Sequence, residues 1–301
     1  MQSWEKIGFI FRPDGRDPKM HSHATLPTAE LVTGDVYRIY FSARDVQNRS
    51  STFSVVVDLN RPQELLELNG RPLLEPGELG GFDDSGAMLS WITDAGAYGK
   101  YFYYAGWNLG VTVPFRNALG LAVVKDGCVV ERYRGPVLDR SLTEPHFVGA
   151  ACILREEALY RCWYLSCVGW EPAEPRPVHR YHLKYAESVD GLTWRRDGVV
   201  AIDFSYPGEY AIARPSVIKD AGGYRMWFSH RGEHYRIGYA ESGDGIRWSR
   251  KDSEVGLTVS DSGWDSASLC YPHVFDHKGT RFMLYNGNEY GKSGFGLAVL
   301  R

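Results

Sequence analysis

Apolar and polar positions alternate with a period of two along most of the chain, in short runs closed by Gly, Asp and Asn. That is the pattern of half-buried strands joined by turns. It is clearest at Tyr235, Ile237 and Tyr239, which share one face of a strand running into Asp244-Gly245, and Trp248 opens the next strand. The same text occurs upstream. Residues 181–194 (YHLKYAESVDGLTW) and 235–248 (YRIGYAESGDGIRW) are identical at eight of fourteen positions, at a constant offset of 54. The Asp-Gly pair predicts a hairpin turn, because both residues tolerate positive φ. Before Tyr235, RMWFSHRG and RPSVIKD read as two more strands, with Ala221-Gly222-Gly223 as the turn between them. Residues 213–250 are thus predicted to form four consecutive antiparallel strands, the unit of a propeller blade.

The order recurs. Second strands are predicted at Arg38–Asp45, Tyr101–Asn108, Arg161–Trp170, Arg225–Arg231 and Arg281–Asn288, roughly 60 residues apart. A first strand precedes each: ATLPTAELV, SGAMLSWIT, EPHFVGAACIL, RPSVIKD and YPHVFDH. Four of the five carry proline at or next to the start, where no ladder donor is required. The last repeat stops after its third strand, Gly294–Leu300, while SWEKIGFI near the N-terminus resembles the fourth-strand openings TWRRDGVV and RWSRKDSE. The expectation is an all-β, single-domain five-bladed β-propeller over residues 1–301. Trp4–Ile10 would complete the last four-stranded blade, seal the ring and leave no free sheet edge.

Composition agrees with this. Aromatics make up 14% of the 301 residues and there are 33 Gly, which suits many short strands and tight turns rather than a helical bundle. A net charge of −3 gives no global attraction to nucleic acid or to an anionic membrane, so neither is expected as a partner. No charged n-region precedes an apolar run at the N-terminus and no run reaches membrane-spanning length, so a cytoplasmic address is expected. Five irregularly spaced cysteines without a CxxC read as small buried thiols.

In a propeller the first strands line the axis and the second strands run back beside them. First-strand starts and second-strand ends therefore emerge on one face. The starts supply His21, His23, Asp83, Asp84, Glu144, His146, Arg214, Tyr271 and His273. The ends supply Arg44, Asp45, Trp107, Asn108, Trp170, His230, Arg231, Asn286, Asn288 and Glu289. Polar and aromatic groups gathered at the mouth of a rigid scaffold predict a ligand site. Its cast is rich in bases, namely His23, Arg44, Arg214, His230, Arg231, His234 and His273, and arginine forks hold phosphate or carboxylate. Trp107, Trp170 and Tyr271 offer flat faces to sugar rings. His21-x-His23 beside Asp83 or Asp84 lacks a metal-site pattern, so neither a metal nor an organic cofactor is expected.

With these parts in place the chain resembles the five-bladed glycoside hydrolase superfamily, families 43, 32, 62 and 68 and the mannoside phosphorylases of family 130. The repeated Tyr-Ala-Glu-Ser-x-Asp-Gly-x-x-Trp hairpin is typical of these propellers. Thr143-Glu144-Pro145 is similar to the stretch that carries their general acid, and Asp83-Asp84-Ser85 lies where they hold a second acidic residue. Cleaving a glycosidic bond needs a protonated carboxyl at the leaving oxygen and a second carboxylate as base or nucleophile. The resemblance implies Glu144 as acid, its pKa raised by burial and by Asp84, with Asp84 beside it. Families 43 and 32 also place an aspartate at the first strand of blade one, where His21–Pro27 has none. Arg16-Asp17-Pro18 lies too early in the chain, and Asp45 is the alternative base. A missing base suits the phosphorylases, in which inorganic phosphate is the nucleophile and co-substrate. The expected function is cleavage or transfer of a glycosyl unit of a short anionic glycan, with a small carbohydrate as partner. The alternatives are a transferase of surface-glycan assembly and a non-catalytic glycan-binding propeller.

Overall fold

A computed structural model describes residues 3–301; Met1 and Gln2, at the edge of the expected domain, lie outside the described residues. The chain opens with β1 (Trp4–Phe11) and then makes four antiparallel meanders. The first is β2 (Ser22–Thr33), β3 (Val36–Arg44), β4 (Ser50–Asp58) and β5 (Leu65–Leu74). The second is β6 (Gly86–Asp94), β7 (Lys100–Leu109), β8 (Phe115–Lys125) and β9 (Cys128–Arg132). The third is β10 (Val148–Glu156), β11 (Leu159–Glu171), β12 (Val178–Ser188) and β13 (Val200–Ile202). The fourth is β14 (Ala211–Asp220), β15 (Gly223–Arg231), β16 (Tyr235–Ser242) and β17 (Ser249–Arg250). A fifth, β18 (Cys270–His277), β19 (Thr280–Asn286) and β20 (Phe295–Leu300), takes β1 as its outer strand. Trp4 stands opposite Leu300 and Phe11 opposite Phe295, the pairing of the two ends that the sequence predicts. The fold is all-β. No helix among the described residues is long and apolar enough to cross a membrane.

The five inner strands β2, β6, β10, β14 and β18 pack each against the next, and β18 packs against β2. Side chains stitch them where no ladder runs. The Ser90 hydroxyl of β6 takes the Ala151 amide of β10 at 2.7 Å. The Cys152 thiol of β10 takes the Val217 amide of β14 at 3.3 Å, and the Ser216 hydroxyl of β14 takes the Val274 amide of β18 at 2.8 Å. Asn286 joins β19 to β2 through the Leu26 amide and the Ala24 carbonyl. Aromatic side chains, Trp163 and Trp227 among the largest that are fully buried, fill the space between the meanders.

The Asp-Gly pairs lie in hairpin connections, as predicted, with Glu187 opposite Arg195 and Glu241 opposite Ser249. Asp190 and Asp244 carboxylates each accept two amides further on, at 2.8 Å, and so shape a longer loop. That loop locks onto the preceding meander. The Gly191 carbonyl accepts from the Tyr103 hydroxyl at 2.9 Å, and the Gly245 carbonyl from the Trp163 indole at 2.7 Å. The repeated hairpin is conspicuous in the sequence because both copies perform this docking.

Candidate functional site

Every inner strand leaves its ladder at the same level. Register shifts fall between Ser22 and Thr28, Leu89 and Trp91, Gly149 and Ala151, Ala213 and Ser216, and Cys270 and His273. Three of these bulges hold a left-handed residue followed by proline: Leu26 (φ 57°), Arg214 (φ 50°) and Tyr271 (φ 54°). Proline needs no ladder partner at a bulge, and this, rather than a strand start, is what Pro27, Pro215 and Pro272 occupy. Non-glycine residues held there cost about 1–3 kcal/mol each, and such strain gathers at ligand sites.

A cavity of about 400 Å³ opens above the bulges and is lined from all five meanders. Its floor includes Leu26, Ala150, Ala213 and Tyr271. One side is apolar, with Met88, Trp107, Leu109, Pro114, Phe115, Phe147 and Leu165. The other carries Arg44, Asn48, Arg231, Tyr181, Tyr235 and Tyr290, with His179 and Arg176 at the third meander. No Asp or Glu is among the described residues that line it.

Two of the cations there are held by neutral groups. Arg231 reaches the Tyr290 hydroxyl, and its guanidinium lies 5.3–5.5 Å from the ring centres of Tyr210, Tyr235 and Tyr290. Arg44 donates to Asn48 at 2.9 Å. The Tyr181 and Tyr235 hydroxyls, equivalent positions of the repeat, meet at 2.7 Å. Burial pushes both phenols up, and that of Tyr271, so all three stay protonated at neutral pH. Burial and then Arg231 push His179 down to about 4, leaving a neutral ring stacked on Tyr181 at 4.5 Å. Trp107 keeps its place because its neighbour is glycine, since a Cβ at Gly86 would meet the indole nitrogen at 2.2 Å. Buried nitrogens of Arg44, Trp107, His179 and Arg231 find no partner in the protein.

The carboxylates predicted for this mouth are elsewhere, and in a pattern. Asp83 accepts from Tyr104 (2.9 Å) and Arg132 (2.5 Å). Glu144 accepts from Tyr164 (3.1 Å), Ser166 (2.7 Å) and Arg196 (3.0 Å), with Lys184 at 3.2 Å. Glu209 receives the Arg250 fork at 2.9 Å on both oxygens, with His230 at 3.0 Å. Asp265 takes Lys6 at 2.7 Å and Tyr285 at 3.1 Å. In four meanders a buried acid on the loop entering the first strand is clasped by a base from the outer-strand region, over an aromatic of the second strand. In the first meander, buried Met20 and Phe41 share an apolar cluster instead.

Glu144 is therefore the third meander's member of a repeated clasp. Burial raises its carboxyl, but Ser166, Lys184 and Arg196 outweigh this and hold it below the ordinary value, opposite to the rise expected. Asp84 is not among its partners; it accepts from the Gly80 amide and the Ser85 hydroxyl. Asp45 folds its own loop, taking the amides of Gln47 and Arg49 and pairing with the Arg49 side chain at 2.9 Å.

Of the predicted binding residues, Arg44, Trp107, Arg231 and Tyr271 come together in the cavity. Arg214 does not reach the mouth. It is wholly buried beneath the floor, bonded to the Ser90 and Pro27 carbonyls and to Thr28, with Trp91 under the guanidinium. Burial pushes it down to about 10, which still leaves it charged at neutral pH. His273 is buried in the same layer against Trp91 at 5.0 Å, and burial with Arg214 keeps it neutral. His230 belongs to the Glu209 clasp, and His23 is half-buried beside Ser22, pushed down to about 4 by burial and Arg44. Sequence reasoning missed His179, Tyr181, Tyr235, Tyr290 and Arg176 as lining, and Glu209 as a clasp acid. One signal was available for the clasp. A base stands two residues after tryptophan in three outer segments, as Trp194–Arg196, Trp248–Arg250 and Trp4–Lys6.

All five cysteines are free and four are buried, and no cluster of metal-ligating side chains occurs among the described residues. Among solved structures, BT0996 in an RGII complex matches with a TM-score of 0.74 at 17% identity, over 98% of this chain and 90% of its own. A thermostable family-43 glycoside hydrolase matches with a TM-score of 0.62 at 17% identity, over 95% and 90%. Sucrose-6-phosphate hydrolase from Lactobacillus gasseri matches with a TM-score of 0.62 at 13% identity, over 94% of this chain and 60% of that one. No protein-family model matches. Uncharacterized proteins MT1551 and Rv1502, from two strains of Mycobacterium tuberculosis, are each 44% identical over 299 residues, 99% of both chains. The protein belongs to one family with these two mycobacterial proteins, and its fold is that of the solved glycoside hydrolases it resembles.

Proposed function

We propose that the chain is a five-bladed propeller, closed by β1, whose central cavity takes an anionic glycan. The observation that carries the reading is the lining itself: Arg44, Arg176 and Arg231, a wall of aromatic faces, and no carboxylate. Arginine forks suit phosphate or carboxylate, and an acid-free cavity does not repel them. Trp107 and the tyrosines offer stacking faces and neutral hydroxyl donors to a sugar. Sucrose-6-phosphate hydrolase, on this fold, is named for a phosphorylated sugar.

Hydrolysis by a carboxylate pair is not what this cavity offers, since Glu144, Asp84 and Asp45 are all engaged outside it. A second reading, transfer of a glycosyl unit to bound phosphate, is favoured by the same three arginines, which would hold the nucleophile. Calorimetry with glucose 6-phosphate against glucose tests the main reading. The phosphorylated sugar should bind at least ~10-fold tighter, and Arg231→Met or Arg44→Met should remove that difference. Equal binding of the two sugars would refute an anion site. Glycoside cleavage that requires inorganic phosphate would select the second reading.

A further inference from the structure

We propose that the ligand is an amphiphile, a glycan whose anionic group is joined to a hydrocarbon chain. This rests on the anionic-glycan reading and adds the apolar half. The cavity carries both kinds of group: Arg44, Arg176 and Arg231 and the phenols of Tyr181, Tyr235 and Tyr290 come from the first, third, fourth and fifth meanders, while the second and third give Met88, Leu109, Phe115, Phe147 and Leu165, with Asn117 among them. That apolar side continues outward. Leu109, 70% exposed, leads into the loop bearing Val111, which is 104% exposed. Leu142 (106%) and Leu79 (98%) stand on the loops entering β10 and β6, at the same end of the molecule. Val111, Leu142 and Leu79 are the three most exposed large hydrophobic side chains among the described residues, and Val111 stands two residues beyond Leu109, which itself lines the cavity. Single exposed leucines are ordinary. A rim continuous in chemistry with a cavity wall marks a surface that a ligand covers.

Charge selects the occupant. Arg44 and Arg231, neither of them paired with a carboxylate, are inside the cavity, while on the loops outside it Glu78 pairs with Arg134 and Asp139 with Arg140. With a net charge of −3, the chain has no field that would draw it to an anionic bilayer. A phosphate at Arg231 and Arg44 with a hydrocarbon tail running across Phe115 and Leu109 satisfies both halves.

The test uses inorganic phosphate and decyl phosphate below its micellar concentration, followed by calorimetry. Each methylene taken out of water adds about fourfold in affinity, so with roughly three to four methylenes covered by the apolar wall decyl phosphate should bind on the order of 100-fold tighter than inorganic phosphate. Val111→Ser with Leu142→Ser, both at exposed positions, should cut decyl phosphate affinity ~10-fold or more and leave inorganic phosphate unchanged. Arg231→Met should weaken both probes. Equal affinity for the two probes in the native protein overturns the amphiphile and leaves the anion site standing. Failure of both to bind overturns the anion site as well. Co-sedimentation with phosphatidylcholine–phosphatidylglycerol vesicles that the rim substitutions abolish and Arg231→Met does not touch would assign the rim to a bilayer and overturn the proposal.

Discussion

Glu144 shows how one residue can satisfy a sequence pattern for a reason unrelated to chemistry. It sits beside a proline at the entry to an inner strand, as an acid of a glycosidase would. Yet its oxygens are consumed by Tyr164, Ser166, Lys184 and Arg196, and its side chain is buried. A carboxylate in that setting works as the anionic half of a buried pair, and removing one half costs about 3–5 kcal/mol because the other is stranded. Glu144→Gln should accordingly lower the urea midpoint by an amount of that order, while ligand affinity of the folded fraction stays unchanged. The opposite result, full stability with lost turnover, would return Glu144 to catalysis. Arg44, Trp107, Arg231 and Tyr271 were legible because chain order and strand direction alone deliver them to the mouth. Arg214 and His273 were not. Strand direction does not say to which side of a bulge a side chain turns, and both of these pack below the floor against Trp91.

At the scale of the element, the outer strands do more than finish a sheet. Arg132, Arg196, Arg250 and Lys6 reach inward from them to a buried acid, so each clasp ties outer strand, second strand and entry loop together. The sequence displayed the tryptophans of these segments plainly, but the partner acid lies tens of residues away, and only the folded meander brings it near. The clasp also sets a pH limit. Burial raises Glu209, but His230, Arg250 and the Ser205 amide outweigh it and bring the carboxyl down to about 2 from 4.5. A lowered folded pKa contributes stability that is complete above the unfolded value and is lost as pH falls from there towards about 2. The loss from this one group is on the order of 3 kcal/mol. Urea midpoints should thus fall steeply between about pH 5 and pH 3, and Glu209→Gln should flatten that slope. A profile equally steep in the variant would place the acid sensitivity elsewhere.

For the whole molecule, the repeat announced the architecture and the two chain ends announced their pairing, since SWEKIGFI reads as an outer strand detached from its meander. Taking away β1 exposes the edge of β20, deprives Asp265 of Lys6 and uncovers Trp227, which Trp4 contacts edge-on at 6.0 Å. A chain starting after Phe11 should be aggregation-prone and lose its single cooperative thermal transition, and adding a synthetic peptide of residues 3–11 should partly restore it. A truncated chain that melts as sharply as the parent would argue against closure by this strand.

The bulged floor has a consequence for how such a protein changes over time. Backbone geometry, not side-chain bulk, opens the chamber, and the strands below it are stitched independently by Ser90, Cys152 and Ser216. Lineages are therefore free to exchange what projects into the chamber while the barrel of strands beneath it stays as it is. Relatives should keep the left-handed residues and their prolines yet differ in the groups that read the ligand.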